Sequence, residues 1–533
     1  AADNRIHIDT IFHVSLAQMI KTYSVPSTGL NGLPFYHYHF GSHVIFAWLS
    51  KTLNINLFAF YQLSFPAVFL PLFVKSVLGL PIAWSEKKER VFNFNLWLWA
   101  AISAALIGVF PLYSVLAKAL LEVLPVFASE SYCVSIVLTF FFFNILLFNH
   151  DEKATGWVGF NLSVSLVLLG LVFLIGLSKN STLFMIDILI LYLFVRFKLY
   201  REWKAWLLFG IVGLMSIICL YLTVDSKSGD GSFVPFDFYE RYTTLSVFDF
   251  LFVYFFWSIV LVGSCLFVIF FKKKADTPKY FITLAEIGLL ISIVGALPGT
   301  FFSIAGGSAG YFMNVQMCFS LIFFLMILPE VIENLKIARG KIEESHKKRL
   351  VSIFLIVFTV MACINIQNNF RKSIKVYVKH TWEDKARICG ISLESKPATF
   401  FGMVKDIVSL NSKIGSCLSS NTTYTIFQQL SELDTIPLKE KSKSILKLKN
   451  VNLLAEKFPC YKYPFFFTSL TGLALENGFV LDDCLDAQNY SFEYYRRADI
   501  EAQTPRQPAT EFVISLDSGK VQLETLHSES ATR

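Results

Sequence analysis

Ten long apolar stretches constrain this chain more than any other feature. They lie near residues 57–83, 92–116, 131–148, 157–178, 182–200, 205–223, 247–271, 280–303, 310–329 and 350–366. A bilayer core about 30 Å thick takes roughly 20 apolar residues per crossing helix. Lipid offers no hydrogen bonds to the backbone, so runs of this length must be helical. The short loops between them alternate in charge. Lys87, Lys88 and Arg90 follow the first run, Lys153 follows the third, and Arg196, Lys198, Arg201 and Lys204 follow the fifth. Lys272, Lys273, Lys274 and Lys279 continue the series, which ends with the basic stretch 330–349. The intervening loops 117–130, 178–181, 224–246 and 304–309 hold few cations. Cytoplasmic loops are the ones enriched in Lys and Arg, which places residues 1–56 and everything beyond about 367 on the extracytoplasmic side.

The composition agrees with this layout. The chain of 533 residues is 54% hydrophobic and 16% charged, where a soluble protein carries about 25% charged residues. Its net charge of +7 collects in loops beside apolar runs, which is no footprint of a nucleic-acid partner. No basic stretch followed by a short apolar run marks a cleaved signal. An even number of spans with both flanks outside is expected to be completed by an outward-running helix ahead of residue 1 in the full-length protein. The expected fold is thus a polytopic all-α membrane bundle in three parts. These are a first extracytoplasmic loop with a juxtamembrane helix (1–56), the bundle (57–366) and an extracytoplasmic mixed α/β domain (367–533).

That last domain reads as helical over 400–412 and as a strand at Ser444–Leu448. Phe512–Leu516, the turn Asp517-Ser518-Gly519 and Val521–Leu526 read as a hairpin, after a linker at 503–510. Four of the nine cysteines fall here: Cys389, Cys417, Cys460 and Cys484. An even set on an oxidising side favours disulfides; three pairings are open, and Cys460–Cys484 is the preferred bond. Pro464–Ala474 reads as a core helix entry or a binding edge, and His380 stands alone. Asp187, Glu286 and Lys75 are charged residues inside apolar runs to which no role is assigned, though such residues usually face a cavity or partner.

The densest polar cluster is the first 43 residues, with Asp9, His7, His13, His37, His39 and His43. From Asp9 to Tyr23 the spacing of Phe12, Leu16, Met19, Ile20 and Tyr23 predicts an amphipathic helix expected to lie along the membrane surface, with Asp9 suited to cap it. A turn-rich run, Val25–Pro34, leads to Phe35-Tyr36-His37-Tyr38-His39-Phe40-Gly41-Ser42-His43. Three uses of these histidines stay open: a transition-metal site completed by His7 or Asp9, a polar wall that contacts substrate, and packing at a half-wet interface.

Asp9, its helix, the Val25-Pro26 turn with Gly29 and Gly32, and the Tyr-rich segment before the first span together resemble the first outer loop of C-type (GT-C) glycosyltransferases. The layout is similar to lipid A aminoarabinose transferases and protein mannosyltransferases, and to a looser set of bacterial multi-spanning proteins. The resemblance covers roughly residues 5–150 and the order of spans. It implies transfer of a hexosyl or pentosyl group from a polyprenyl-phosphate donor to an acceptor glycan, lipid or protein, at the outer face of the plasma (inner) membrane. By the same resemblance Asp9 and Glu130 are the catalytic carboxylates, and Tyr36-His37-Tyr38-His39 stands where those transferases often carry an acidic-Lys-Pro element. His7, His13, His37, His39, His43, Arg241 and Tyr311 are the candidate substrate contacts; the forked guanidinium of Arg241 suits a leaving phosphate. Asp9 with that phosphate is the expected holder of a divalent cation, Mg2+ or Mn2+. Two other functions compete. A transporter or flippase would need Gly/Pro-broken spans at matching positions in two halves, which the sequence lacks. A histidine-based metal-binding envelope protein would retain zinc or copper.

Overall fold

The computed structural model describes residues within 8–79, 130–149, 162–224, 231–233, 247–271, 279–304, 311–331, 374–449, 463–476, 510–517 and 520–527, single positions excepted. Helix dominates these residues, and they divide into two compact units. Unit 1 joins Ala1–Ser64 to Phe370–Arg533, and unit 2 is Phe65–Asn369.

In unit 1, α1 (Ile8–Tyr23), α2 (Gly41–Leu53) and α3 (Leu57–Ser64) come from the N-terminal flank. α2 ends where Asn54 takes the left-handed conformation and its N–H reaches back to the carbonyls of Lys51 and Ser50, a geometry that asparagine tolerates well. The C-terminal flank adds α11 over 377–388, α12 (Phe400–Ser419), α13 (Thr422–Glu432), α14 (Tyr463–Thr471) and a sheet. The Thr399 hydroxyl caps α12 by accepting the Gly402 N–H at 3.0 Å. β3 (Ser444–Lys449) lies between β4 (Ala474–Leu475) and β5 (Thr510–Asp517), parallel to both. β5 forms an antiparallel hairpin with β6 (Lys520–His527), so the expected strand and hairpin are present and one or two residues longer at their ends.

The two flanks share one core. α1 packs on α14, where Ser15 and Thr468 hydroxyls meet at 2.6 Å and Gln18 Nε2 donates to the Ser469 carbonyl at 3.2 Å. Tyr23 OH donates to the Ser444 carbonyl at 3.2 Å and accepts the Ala474 N–H at 3.0 Å. The Leu475 N–H then donates to the Gly29 carbonyl at 2.7 Å, so the N-terminal loop continues the sheet edge. The expected surface-lying helix is therefore corrected: α1 is buried nearly all round from Ile11 to Met19. Ser15 and Gln18 face α14, not water.

Cys389 is disulfide-bonded to Cys417. The expected Cys460–Cys484 bond lies outside the described residues.

Unit 2 holds α4 (Glu130–Asn149), α5 (Leu162–Ser178), α6 (Asn180–Arg196), α7 (Trp203–Thr223), α8 (Val247–Phe271), α9 (Lys279–Phe301) and α10 over 311–321. Six of these match expected apolar runs to within about five residues, and α10 covers the first part of the run 310–329. Small and polar side chains let them meet closely: Ser135 and Thr182 hydroxyls lie 3.1 Å apart, and Ser258 meets both Gln316 and Ser320 at 2.9 Å. A strand pair, β1 (Gly231–Phe233) with β2 (Phe302–Ile304), joins two loops. Among the described residues one helix, α7, is long and apolar enough to cross a membrane. α4, α5, α8 and α9 carry shorter apolar runs at Glu130–Leu146, Ser163–Ser178, Phe255–Ile269 and Ile282–Pro298. The described helices do not support the count of ten; the expected runs 92–116 and 350–366 lie outside them.

Candidate functional site

Two clusters carry most of the chemistry, one in each unit. In unit 1, α1 supplies Phe12 and His13, α2 supplies His43, and the extended segment between them supplies Tyr36 and Tyr38. His13 Nδ1 and His43 Nε2 are 2.9 Å apart, and both residues are buried. Such a bond needs one ring to donate and the other to accept, so the pair cannot be doubly protonated on both rings. His43 Nδ1 faces the Ser42 hydroxyl at 3.4 Å. Phe12 meets Tyr36 and Tyr38 edge-on, and Tyr38 lies against both histidines of the pair. His39 packs on Tyr38, and His37 on Phe35, both half-buried. Asp9 occupies the first turn of α1, one turn ahead of His13.

In unit 2, the ends of α4 and α10 and the α5–α6 junction build the second cluster. Lys179, the single residue between α5 and α6, is 6% exposed, and its Nζ sits 3.4 Å from the centre of the Tyr311 ring. Tyr311 packs on Tyr132, whose hydroxyl donates to the Asn314 carbonyl at 3.1 Å. Burial pulls the Lys179 ammonium down to about 7 from its usual 10.5, with the negative charge of Glu130 opposing. A cation over an aromatic face is stabilised by the ring quadrupole, so Lys179 is poised between charged and neutral near neutrality.

No protein-family model, curated protein or solved structure matches this chain.

The structure brings His13 together with His43, and Tyr311 together with the lysine that Glu130 influences. His7 and Arg241 lie outside the described residues. Among the described residues no group of three or more His, Cys, Asp or Glu is placed to hold a metal ion.

Lys179 was hidden in the sequence as one cation in a loop otherwise read as poor in them. A second missed group is Asp434, which accepts from the fully buried Lys441 at 2.6 Å and from Asn56 Nδ2 at 2.8 Å, with Lys21 Nζ at 3.8 Å. Glu286, for its part, binds Arg196 at 2.8 Å and the Tyr192 hydroxyl.

Proposed function

We propose that the chain is a C-type membrane glycosyltransferase that moves a hexosyl or pentosyl group from polyprenyl phosphate to an acceptor hydroxyl on the extracytoplasmic face. The observation that carries this reading is the common core of the two flanks. Residues 1–64 and 370–533 pack as one unit, so whatever crosses the membrane between them crosses it an even number of times. An even number of crossings is what the alternating basic loops of the sequence call for. The Cys389–Cys417 bond supports an oxidising side for that unit. The outward apolar face of α7, with Leu214, Ile217 and Tyr221 exposed, suits lipid as its solvent.

The chemistry follows from Asp9. The acceptor O–H bond breaks as its oxygen bonds to the anomeric carbon. The proton passes to the Asp9 carboxylate, which must lie within about 3 Å of that oxygen. The bond from the anomeric carbon to the phosphate oxygen breaks, and polyprenyl phosphate leaves with the electron pair. A carboxylate also stabilises the positive charge that develops at that carbon. α1 carries Asp9 in its first turn and packs against α2 and α14, and the half-buried His37, Tyr38 and His39 would contact the sugar.

The test uses the full chain in lipid nanodiscs with a panel of polyprenyl-phosphate hexoses and pentoses, reading release of polyprenyl phosphate by mass spectrometry. At least one donor should be consumed, and Asp9→Asn should slow it by about 10²–10⁴-fold with the melting temperature unchanged. If no donor is consumed, or if Asp9→Asn keeps the parent rate, the proposal fails.

A further inference from the structure

The α5–α6 junction buries donors that nothing among the described residues accepts. Ser178 ends α5 at 0% exposed, and Ser181 stands in the first turn of α6 at 4%. Neither hydroxyl has a hydrogen-bond partner. Between them, the buried Lys179 rests its ammonium on the Tyr311 ring. The charge of Glu130 acts on that ammonium, but among the described residues the ammonium makes no hydrogen bond or ion pair. Buried hydroxyls are ordinarily hydrogen-bonded, and a buried ammonium is costly unless a partner completes it.

The backbone brings further donors to the same place. Lys179 is the N-cap of α6 and supplies no side-chain cap. The Thr182 and Leu183 N–H groups donate to its carbonyl at 3.1 and 3.2 Å, whereas those of Asn180 and Ser181 have no acceptor within the helix. The positive end of a helix of 17 residues favours an anion. Side-chain directions agree. One turn beyond Ser181, Met185 reaches the contact between Gly295 and Gln316, so Ser181 lies on the face of α6 that meets α9 and α10. Lys179 reaches α10 as well, at Tyr311. Nearby, the exposed Phe184 meets Phe312 at 5.6 Å and gives the site an apolar rim.

We infer that Ser178, Lys179, Ser181 and the first turn of α6 bind a single phosphate group. An ammonium, two hydroxyls and two N–H groups offer more donors than the two oxygens of a carboxylate can accept at good geometry, and they suit a tetrahedral oxyanion. Lysine serves phosphate as a point charge. The group can arrive free in water or on a lipid, and the apolar rim accommodates a lipid chain. The inference uses unit 2 alone and no step of sugar transfer, so it and the donor assay can fail separately.

The test melts the full chain in detergent against rising potassium phosphate, with ionic strength held constant by potassium chloride. The melting temperature should rise and saturate. Lys179→Met should weaken the apparent affinity by at least about tenfold. Ser178→Ala with Ser181→Ala should weaken it several-fold, and this pair carries the comparison if Lys179→Met does not fold. Glu130→Gln should tighten it, because a competing negative charge is gone. A second arm reads the lipid source: native mass spectrometry of the full chain from nanodiscs of phosphatidylcholine with phosphatidic acid should find one phosphatidic acid retained by the parent and lost from the variants. A response in either arm that the variants abolish supports the inference, and the arm that responds names the source. No response in both arms overturns it, as do equal responses in parent and variants or a weaker affinity in Glu130→Gln.

Discussion

Removing the carboxylate of Asp434 should do more damage to unit 1 than removing the lysine it binds. Lys441 is 0% exposed, and its ammonium holds Asp434 Oδ1 at 2.6 Å and the Asp434 carbonyl at 3.1 Å. In Asp434→Asn the ammonium remains buried with only neutral acceptors. Stripping one partner from a buried ion pair costs about 3–5 kcal/mol. For a unit of roughly 200 residues each kcal/mol lowers the melting temperature by about 2–4 °C, so the drop should be about 6–20 °C. Lys441→Met leaves Asp434 with Lys21 and Asn56 and puts an apolar chain in an apolar place, so its cost should stay under about 2 kcal/mol. The double variant should then lose less than Asp434→Asn alone. pH adds a sign. Burial already holds the Lys441 ammonium below its usual range, with Asp434 opposing. A lysine with a depressed folded-state pKa costs stability below that pKa and stops costing it as pH rises toward 10.5. Without Asp434 the depression deepens, so the gap between Asp434→Asn and parent should narrow from pH 7 to pH 10. The assay is thermal melting of the full chain in detergent across that range. A drop below about 2 °C for Asp434→Asn, or equal damage from Lys441→Met, refutes the reasoning.

Lys179 makes a parallel case in unit 2. With its ammonium drawn down to about 7, the cost of burying charge is full below pH 7 and fades between pH 7 and about 10.5, so parent stability should rise over that window. Lys179→Met should flatten the slope and be more stable at pH 6 by about a few kcal/mol, at 1.36 kcal/mol per pKa unit, read as a higher melting temperature. Cys389→Ser should lower stability by about 2–4 kcal/mol, read as a lower melting temperature that matches the reduced parent. A membrane-impermeant thiol reagent should label the reduced pair from the extracytoplasmic side of sealed vesicles. Gly29→Ala should cost about 1–3 kcal/mol, because φ is +92° and the new Cβ would fall 2.6 Å from Thr468 Cγ2; melting checks this, and Gly29→Ala at parent stability would show that the loop yields.

Local pattern made the C-terminal elements legible. The stretch 400–412 read as helical and is part of α12, alternation announced β3, and Asp517-Ser518-Gly519 announced the hairpin. The helices of unit 2 were legible because a run of apolar residues needs no partner to be read. What could not be read was set by contacts far apart in sequence. Ser15, Gln18 and Thr22 gave α1 the look of a wet face, and only their placement against Thr468, Ser469 and Gly472 turns that face inward. Lys179 and Asp434 were invisible for the same reason, since a lone charge in a loop says nothing about the ring or ammonium that will cover it. His13 and His43 were both singled out, but their pairing across 30 residues follows from the chain reversing between α1 and α2. Of the candidate site residues, Asp9 is placed only by its helix, and His7, Arg241, Cys460 and Cys484 lie outside the described residues.

The Ser15–Thr468 contact spans 453 positions of the chain, and this has a cost in time. A ribosome adding 5–20 residues per second takes about 20–90 s to make the second partner after the first. Throughout that interval α1 has α2 beside it but lacks α14, so the face carrying Ser15 and Gln18 is uncovered. Burial of that face therefore waits for the chain to be made as far as α14.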